Sequence, residues 1–338
     1  MSNDRTLLQQ LLALDLAEPL LILAHENPDP DSLASAVALS HLLRETRGQD
    51  STVGYSGIIG RAENRAMVEL LDLPVVSLQN EEWKRFNSFA LIDAQPHTGN
   101  SILPPDVMPD IIIDHHPLRP VSTQARFHDI RQNIGASATL LTNYLREAGV
   151  AIPRALATAL LYGIRSETQD LGRETFEGDL DAYQHLFQIA DKEILAAISQ
   201  PPLALSYFGQ LAGALDALEV GQTVAICMLG EVCVPDFVPE MADFIARMQH
   251  VRWTLCSGAF AKRLYVSVRS NDVDANAGEL MQSILHGLGT GGGHSMRAGG
   301  NAEFRSGEEL SRNRVIIRER FLKSVGAGKE QMRFLRSL

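Results

Sequence analysis

Thiol chemistry is scarce in this chain. Its 338 residues hold three cysteines, Cys227, Cys233 and Cys256, all in the second half and none spaced as a CxxC pair. An odd count at such spacing argues against a disulfide framework or a zinc ribbon, and small buried hydrophobes are the expected role. Long apolar runs are lacking as well: nothing approaches the ~18 consecutive apolar residues of a membrane span. Positive charge is outnumbered, with Lys+Arg 30 against Asp+Glu 41 and a net charge of −11. A broad cationic surface for coating long nucleic acid, a long duplex above all, is therefore not expected. A small phosphorylated substrate stays open, because divalent cations and a few local Arg or Lys residues can meet it. The opening Met1-Ser2-Asn3-Asp4-Arg5 has no signal-peptide h-region, so a cytoplasmic protein is expected. No internal repeat or low-complexity tract interrupts a chain of 45% hydrophobic and 21% charged residues, long enough for two domains.

What the chain does have is a set of apolar runs that end in histidine and aspartate. Leu21-Ile22-Leu23-Ala24 reads as a buried strand and runs into His25-Glu26-Asn27-Pro28-Asp29-Pro30-Asp31, a His-x3-Asp-x-Asp loop stiffened by two prolines. Phe89-Ala90-Leu91-Ile92 ends on Asp93, and Ile111-Ile112-Ile113 ends on Asp114-His115-His116. Helical patterns lie between the earlier strands, at 32–47 and 62–71. Three apolar strands finishing in polar chemistry at the same chain end predict an α/β fold: a doubly wound, mostly parallel sheet with its site along the carboxyl edge. From 135 to 195 the pattern turns helical. The double proline at 201–202 marks a break, and the spacing predicts a first domain over 1–195, a linker over 196–215 and a smaller α/β domain over 216–338.

Each cluster alone has a bland reading, a solvated loop, a helix cap or a packed histidine. Together, His25, Asp29, Asp31, Asp93, Asp114, His115 and His116 offer nitrogen and hard oxygen donors without thiolate, which suits Mn²⁺, Mg²⁺ or Fe²⁺. Carboxylates converging on one place repel unless cations neutralise them. Two cations sharing a carboxylate would clamp a phosphoryl oxygen and acidify a bound water.

In their order and spacing these residues resemble motifs I, II and III of the DHH phosphoesterase superfamily. The tract Gly289-Thr290-Gly291-Gly292-Gly293-His294-Ser295-Met296-Arg297-Ala298-Gly299-Gly300 resembles the glycine-rich signature of its DHHA1 carboxyl domain. The two-domain layout is similar to the nanoRNase/pAp-phosphatase branch. The resemblance implies that His25 and Asp29 hold one cation, Asp31 and His115 a second, and Asp93 bridges them, with Mn²⁺ expected as the ion. Asp114 would fix the tautomer of a neighbouring histidine, and His116 would face the scissile phosphate. The family usually places Asp before Thr in a fourth motif, where this chain has Glu167 before Thr168. Glu167 is taken as the further ligand, with Asp170 as the fallback.

Consecutive glycines mean either a flexible loop or backbone that closes on a ligand as an anion nest. The resemblance favours the second, with Gly292, Gly293, His294 and Arg297 gripping the far end of a short nucleotide. Arg269, at a strand end, is a candidate second phosphate contact or an ordinary surface charge. Lys323, Lys329, Arg333 and Arg336 read as a solvated basic face.

The expected function is hydrolysis of very short oligonucleotides and of 3′-phosphoadenosine 5′-phosphate, in a cleft between domains, by a chain that forms homodimers as its family tends to. Hydrolysis of a cyclic dinucleotide or its linear product remains an alternative. So does a nucleotide-binding regulator without turnover. A family II pyrophosphatase shares the metal motifs but carries an Arg- and Lys-rich carboxyl domain in place of the glycine tract.

Overall fold

Four consecutive apolar residues stay in a strand only where both faces are covered, and Leu20–Leu23 (β1) is buried throughout. In the computed structural model, which describes residues 5–272, 274–293, 296–328 and 332–337, β1 is joined by Ser51–Tyr55 (β2), Val75–Ser77 (β3), Ser88–Ile92 (β4), Ile111–Asp114 (β5) and Phe127–Ile130 (β6). They form one six-stranded sheet in the order β3-β2-β1-β4-β5-β6, parallel at every pairing. Chain direction across the sheet reverses between β1 and β4. Connections leaving those two strands diverge there and open a crevice at their carboxyl ends.

Helices Leu7–Leu12 (α1), Pro30–Arg47 (α2), Ala62–Leu70 (α3), Ser137–Glu147 (α4), Arg154–Glu167 (α5), Glu177–Ile189 (α6) and Lys192–Ser199 (α7) accompany this sheet. Leu20, Ile22, Ala90, Ile92, Ile111 and Ile113 share one core with Leu33, Leu39, Leu141 and Leu160 of α2, α4 and α5. The alternate residues Leu21, Leu23, Phe89 and Leu91 meet Leu78, Trp83, Phe86, Leu103 and Val107 instead. The helices therefore gather on one face, and mostly irregular chain, including the 3₁₀ turn Glu82–Arg85, covers the other. β6 has no counterpart among the expected strands. Phe-His-Asp-Ile alternates buried and more exposed positions at the sheet edge, too short and too polar to stand out.

α2 begins two residues before the expected Ser32. Asp29 caps it by accepting the Ser32 N–H at 2.9 Å, and Pro30 occupies the first helical position, where its missing N–H costs nothing.

The chain divides into two compact units at Pro201/Pro202. Most of 196–215, expected as a linker, is helical: it holds the end of α7 and nearly all of Leu205–Asp216 (α8). The second unit adds Leu218–Val220 (β7), Val224–Glu231 (β8), Phe237–Ala246 (α9), Trp253–Phe260 (β9), Arg263–Ser270 (β10), Ala277–Leu285 (α10), Thr290–Gly293 (β11), Arg297–Glu303 (β12), Gly307–Ser324 (α11) and Arg333–Phe334 (β13). Its sheet runs β11-β12-β10-β9-β8-β7-β13, with α10 and α11 on one face and α9 on the other. Cys227 and Cys256 lie in the α9-side core as expected, whereas Cys233 is exposed. No described helix is long and apolar enough to cross a membrane.

The glycine tract departs from both of its expected forms. Residues 290–293 are an edge strand paired antiparallel with β12. Successive N–H groups of an extended strand point to opposite sides, so they cannot converge on one anion as a nest does. Packing accounts for several of these glycines: a Cβ on Gly291 would stand 2.6 Å from Met281 Cγ, and one on Gly278 of α10 would stand 2.5 Å from the Gly293 carbonyl oxygen. Small residues let α10 lie directly on the hairpin.

Candidate metal centre

The polar residues that follow β1, β4 and β5 meet in the crevice. His25 donates its Nδ1–H to the Glu26 carbonyl at 2.9 Å, which leaves Nε2 as the electron-pair donor. That Nε2 lies 3.5 Å from Asp29 Oδ2 and 3.7 Å from Asp93 Oδ2. Asp93 turns the chain out of β4 with φ of 56°, a left-handed conformation that Asp tolerates better than most residues. Its Oδ1 faces the other way, 3.3 Å from His115 Nε2 and 3.7 Å from His116 Nδ1. Among the described residues, two sets are compact enough to hold a cation: His25, Asp29 and Asp93, and Asp93, His115 and His116. Asp93 belongs to both.

His115 Nε2 is buried and makes no hydrogen bond. An imidazole nitrogen left so costs ~1–3 kcal/mol unless something else satisfies it. With hard oxygens around it and no thiolate, the donor set fits a cation such as Mn²⁺ or Mg²⁺.

The remaining carboxylates are more firmly held by protein. Asp31, fully buried, accepts the Ser137 N–H on Oδ2 and the Ala138 N–H on Oδ1, each at 2.7 Å. Its Oδ2 is 4.0 Å from His115 Nε2. Asp114 accepts the His115 N–H at 2.8 Å and His116 Nδ1–H at 2.8 Å on Oδ1, and Gln95 Nε2–H at 2.6 Å on Oδ2. Asp114 thus sets the tautomer of His116, and Nε2 becomes that ring's proton-exchanging atom. Glu167, the last residue of α5, is half-buried with the charges of Asp29, Asp93, His115 and His116 acting on it. Asp170 is exposed and bonds the Arg165 Nε at 2.6 Å.

The electrostatics describe a pocket with too much negative charge. Burial, then the Asp93 carboxylate, pushes Asp31 well above the usual carboxylate range, and burial with Asp29 raises Glu167. Burial would lower His25, but Asp29 and Asp93 override it and push the imidazole up to about 10. His116 rises to about 9 against its own burial, through its bond to Asp114 and the nearby Asp93. His115 rises with them. Asp114 falls to about 2 despite burial, because His116 and Gln95 stabilise its charge. Protons make up the deficit here, and cations would replace them.

In the second unit, Arg269 is 9% exposed. Its Nε donates to Asp243 Oδ1 at 2.5 Å, and its Nη1 donates to Ser267 Oγ at 2.7 Å. Arg297, opposite it in register, places Nη2 3.8 Å from the same Asp243 oxygen. A Cβ on Gly292 would meet nothing within 4 Å, so packing does not require glycine there. On Gly293 it would collide with the Arg297 carbonyl, so close approach within the hairpin does require it. His294 lies outside the described residues, as does Lys329. Of the other basic residues near the carboxyl end, Lys323 is exposed in the last turn of α11, Arg333 is exposed at the start of β13, and Arg336 pairs with Asp216.

Compared with known proteins, residues 19–164 match the DHH family, N-terminal domain. Residues 19–164 thus carry a DHH-family N-terminal domain. The family match takes in every motif from His25 to His116 and stops before Glu167. An uncharacterized protein of Methanocaldococcus jannaschii is 35% identical over 321 residues, which is 93% of this chain and 65% of that protein. A probable manganese-dependent inorganic pyrophosphatase of Listeria monocytogenes serotype 4a is 26% identical over 175 residues, 52% of this chain and 56% of its own. The chain thus spans less than two thirds of the length of either relative. The crystal structure of an exopolyphosphatase-related protein from Bacteroides fragilis has a TM-score of 0.68 at 14% identity, covering 90% of this chain and 93% of that one. At that identity the likeness is one of fold.

Around the DHH motifs, the structure adds residues that no motif singles out. Gln95 is buried and bonds Asp114, the Arg119 N–H and Ser122 Oγ. Gly163 lets α5 approach the start of α2: a Cβ there would stand 3.1 Å from Asp31 Cα. Asp243 bonds one arginine of the second unit and lies near the other. Only Gln95 and Gly163 lie close to a motif in sequence, and nothing in their residue type announces a role.

Proposed function

We propose that this chain is a divalent-cation-dependent phosphoester hydrolase, with manganese as its working ion and short oligonucleotides and 3′-phosphoadenosine 5′-phosphate as substrates. The observation that carries the reading is the position of Asp93, whose two oxygens face separate ligand groups, Oδ2 toward His25 and Oδ1 toward His115. Cations held there would supply charge neutralisation at phosphorus and an acidified water. The chain's own residues do the rest. His25 and Asp29 present one pair of donor atoms, and His115 presents an otherwise unsatisfied nitrogen. His116, its Nδ1–H anchored on Asp114, carries the proton on Nε2 that passes to the leaving oxygen. Manganese is favoured by the name of the Listeria relative.

The choice of nucleotides rests on the resemblance of the tract 289–300 to the DHHA1 signature. The pyrophosphatase relatives, matched over about half of the chain, favour a second reading in which a phosphoanhydride is cut. The deciding assay compares Mn²⁺-dependent turnover of a labelled dinucleotide, 3′-phosphoadenosine 5′-phosphate, cyclic di-AMP and inorganic pyrophosphate. Release of mononucleotides supports the proposal. Turnover of pyrophosphate alone replaces the substrate, cyclic di-AMP alone makes the chain a cyclic-dinucleotide hydrolase, and binding without any turnover makes it a regulator. Asp93→Ala is expected to abolish both cation binding and hydrolysis.

A further inference from the structure

Ser137 reaches the cluster from α4, an element outside every motif. It is fully buried, and its hydroxyl donates to Asp93 Oδ1 at 3.0 Å. This is the oxygen that faces His115 Nε2 at 3.3 Å. The residue before α4 is Ala136, which has no side-chain cap to offer. The first N–H groups of a helix lack intrahelical partners, and here Asp31 accepts two of them, from Ser137 and Ala138. The positive end of α4 therefore rests against one carboxylate, and its first side chain holds another.

We propose that Ser137 is a positioning residue for the cation centre: its hydroxyl holds Asp93 in the orientation that lets one carboxylate serve both ligand groups. The inference rests on the hydrolase reading above. A histidine nitrogen must be unprotonated to ligate a cation, so neither His25 Nε2 nor His115 Nε2 can donate to Asp93 while it ligates. The Ser137 hydroxyl still can. A carboxylate oxygen accepts in more than one direction, so a bond from Ser137 leaves Oδ1 able to face a cation as well. Being neutral, the hydroxyl fixes Asp93 without repelling that cation.

The test is a Mn²⁺ titration followed by calorimetry and electron paramagnetic resonance, independent of turnover. Wild type is expected to bind two ions whose spectrum shows a spin-coupled pair. Ser137→Ala is expected to bind the second ion ~10–100-fold more weakly, the usual cost of removing a group that orients a ligand. Its spectrum should show isolated Mn²⁺ where wild type shows the pair, and Ser137→Thr, which keeps a hydroxyl, should restore it. Wild-type affinity and a coupled spectrum in Ser137→Ala would overturn the proposal. Should that variant not fold, Ser137→Cys, similar in size and a weak donor, must show the same direction of loss, and wild-type binding by it overturns the proposal equally. Failure of the wild type to bind a coupled pair would instead sink the hydrolase reading itself.

Discussion

A carboxylate gains from a cation in proportion to the negative charge already around it, and this distinguishes Glu167 from Asp170. Burial and the charges of Asp29 and Asp93 oppose ionisation of Glu167. Asp170 already has a counter-charge in Arg165, in a pair exposed on the Asp170 side. Glu167→Gln is expected to weaken binding of one Mn²⁺ by about tenfold or more, roughly 1.4 kcal/mol. Asp170→Asn should change it less than twofold, because a mostly exposed ion pair contributes only ~0–1 kcal/mol. Calorimetric titration of the two variants decides between them, and a loss confined to Asp170→Asn would make Asp170 the ligand.

At the scale of elements, the centre depends on how closely α2, α4 and α5 meet. Asp31 stands in the first turn of α2, Ser137 opens α4 and Glu167 closes α5. Gly163 sets how near α5 comes to the other two, since its Cβ would lie 3.3 Å from the Pro30 carbonyl oxygen and 3.4 Å from Ala138 Cβ. Gly163→Ala brings about 0.8–1 kcal/mol of helix propensity, set against contacts that neighbours can relieve by small shifts. Gly163→Val adds two further methyl groups and forces α5 away. It is expected to lose ~1–3 kcal/mol in urea unfolding, as overpacked sites do, and to weaken Mn²⁺ binding as Glu167 moves with its helix. Unchanged binding in a destabilised Gly163→Val would show that Glu167 is not a ligand.

For the whole molecule, the excess of negative charge in the centre links pH, cations and stability. His25 rises from 6.5 to about 10 and His116 from 6.5 to about 9, so the folded state binds these protons more tightly than the unfolded chain. Their stabilisation is complete below pH ~6.5 and is lost as pH climbs through the folded values. Cation binding has the opposite slope, because His25 Nε2 must be deprotonated to ligate, and uptake near pH 7 releases protons. The cation-free protein should therefore lose thermal stability between pH 6.5 and 9, while the increase in Tm on adding MnCl₂ grows over that range. Melting curves at three pH values, with and without the ion, check both slopes. An increment that shrinks with rising pH would count against histidine ligation.

Much of this was legible in the chain because it is local chemistry. The apolar runs at 21–24, 89–92 and 111–113, each followed by His or Asp, placed the candidate ligands at one sheet edge, since strand period and residue type need no distant partner. Phe127–Ile130 stayed hidden because two apolar residues carry too little signal, and 196–215 read as a linker because a double proline outweighed the helices on either side. The tract 290–293 read as a loop or nest, because composition alone cannot show that β12 pairs with it or that α10 packs on it. Long-range hydrogen bonds were equally out of reach. Ser137 meets Asp93 across 44 positions and Asp31 across 106. The sequence by itself determined which atoms could hold a cation. Tertiary structure decided what holds the shared carboxylate between the two groups, because a hydrogen bond depends on distance in space rather than along the chain.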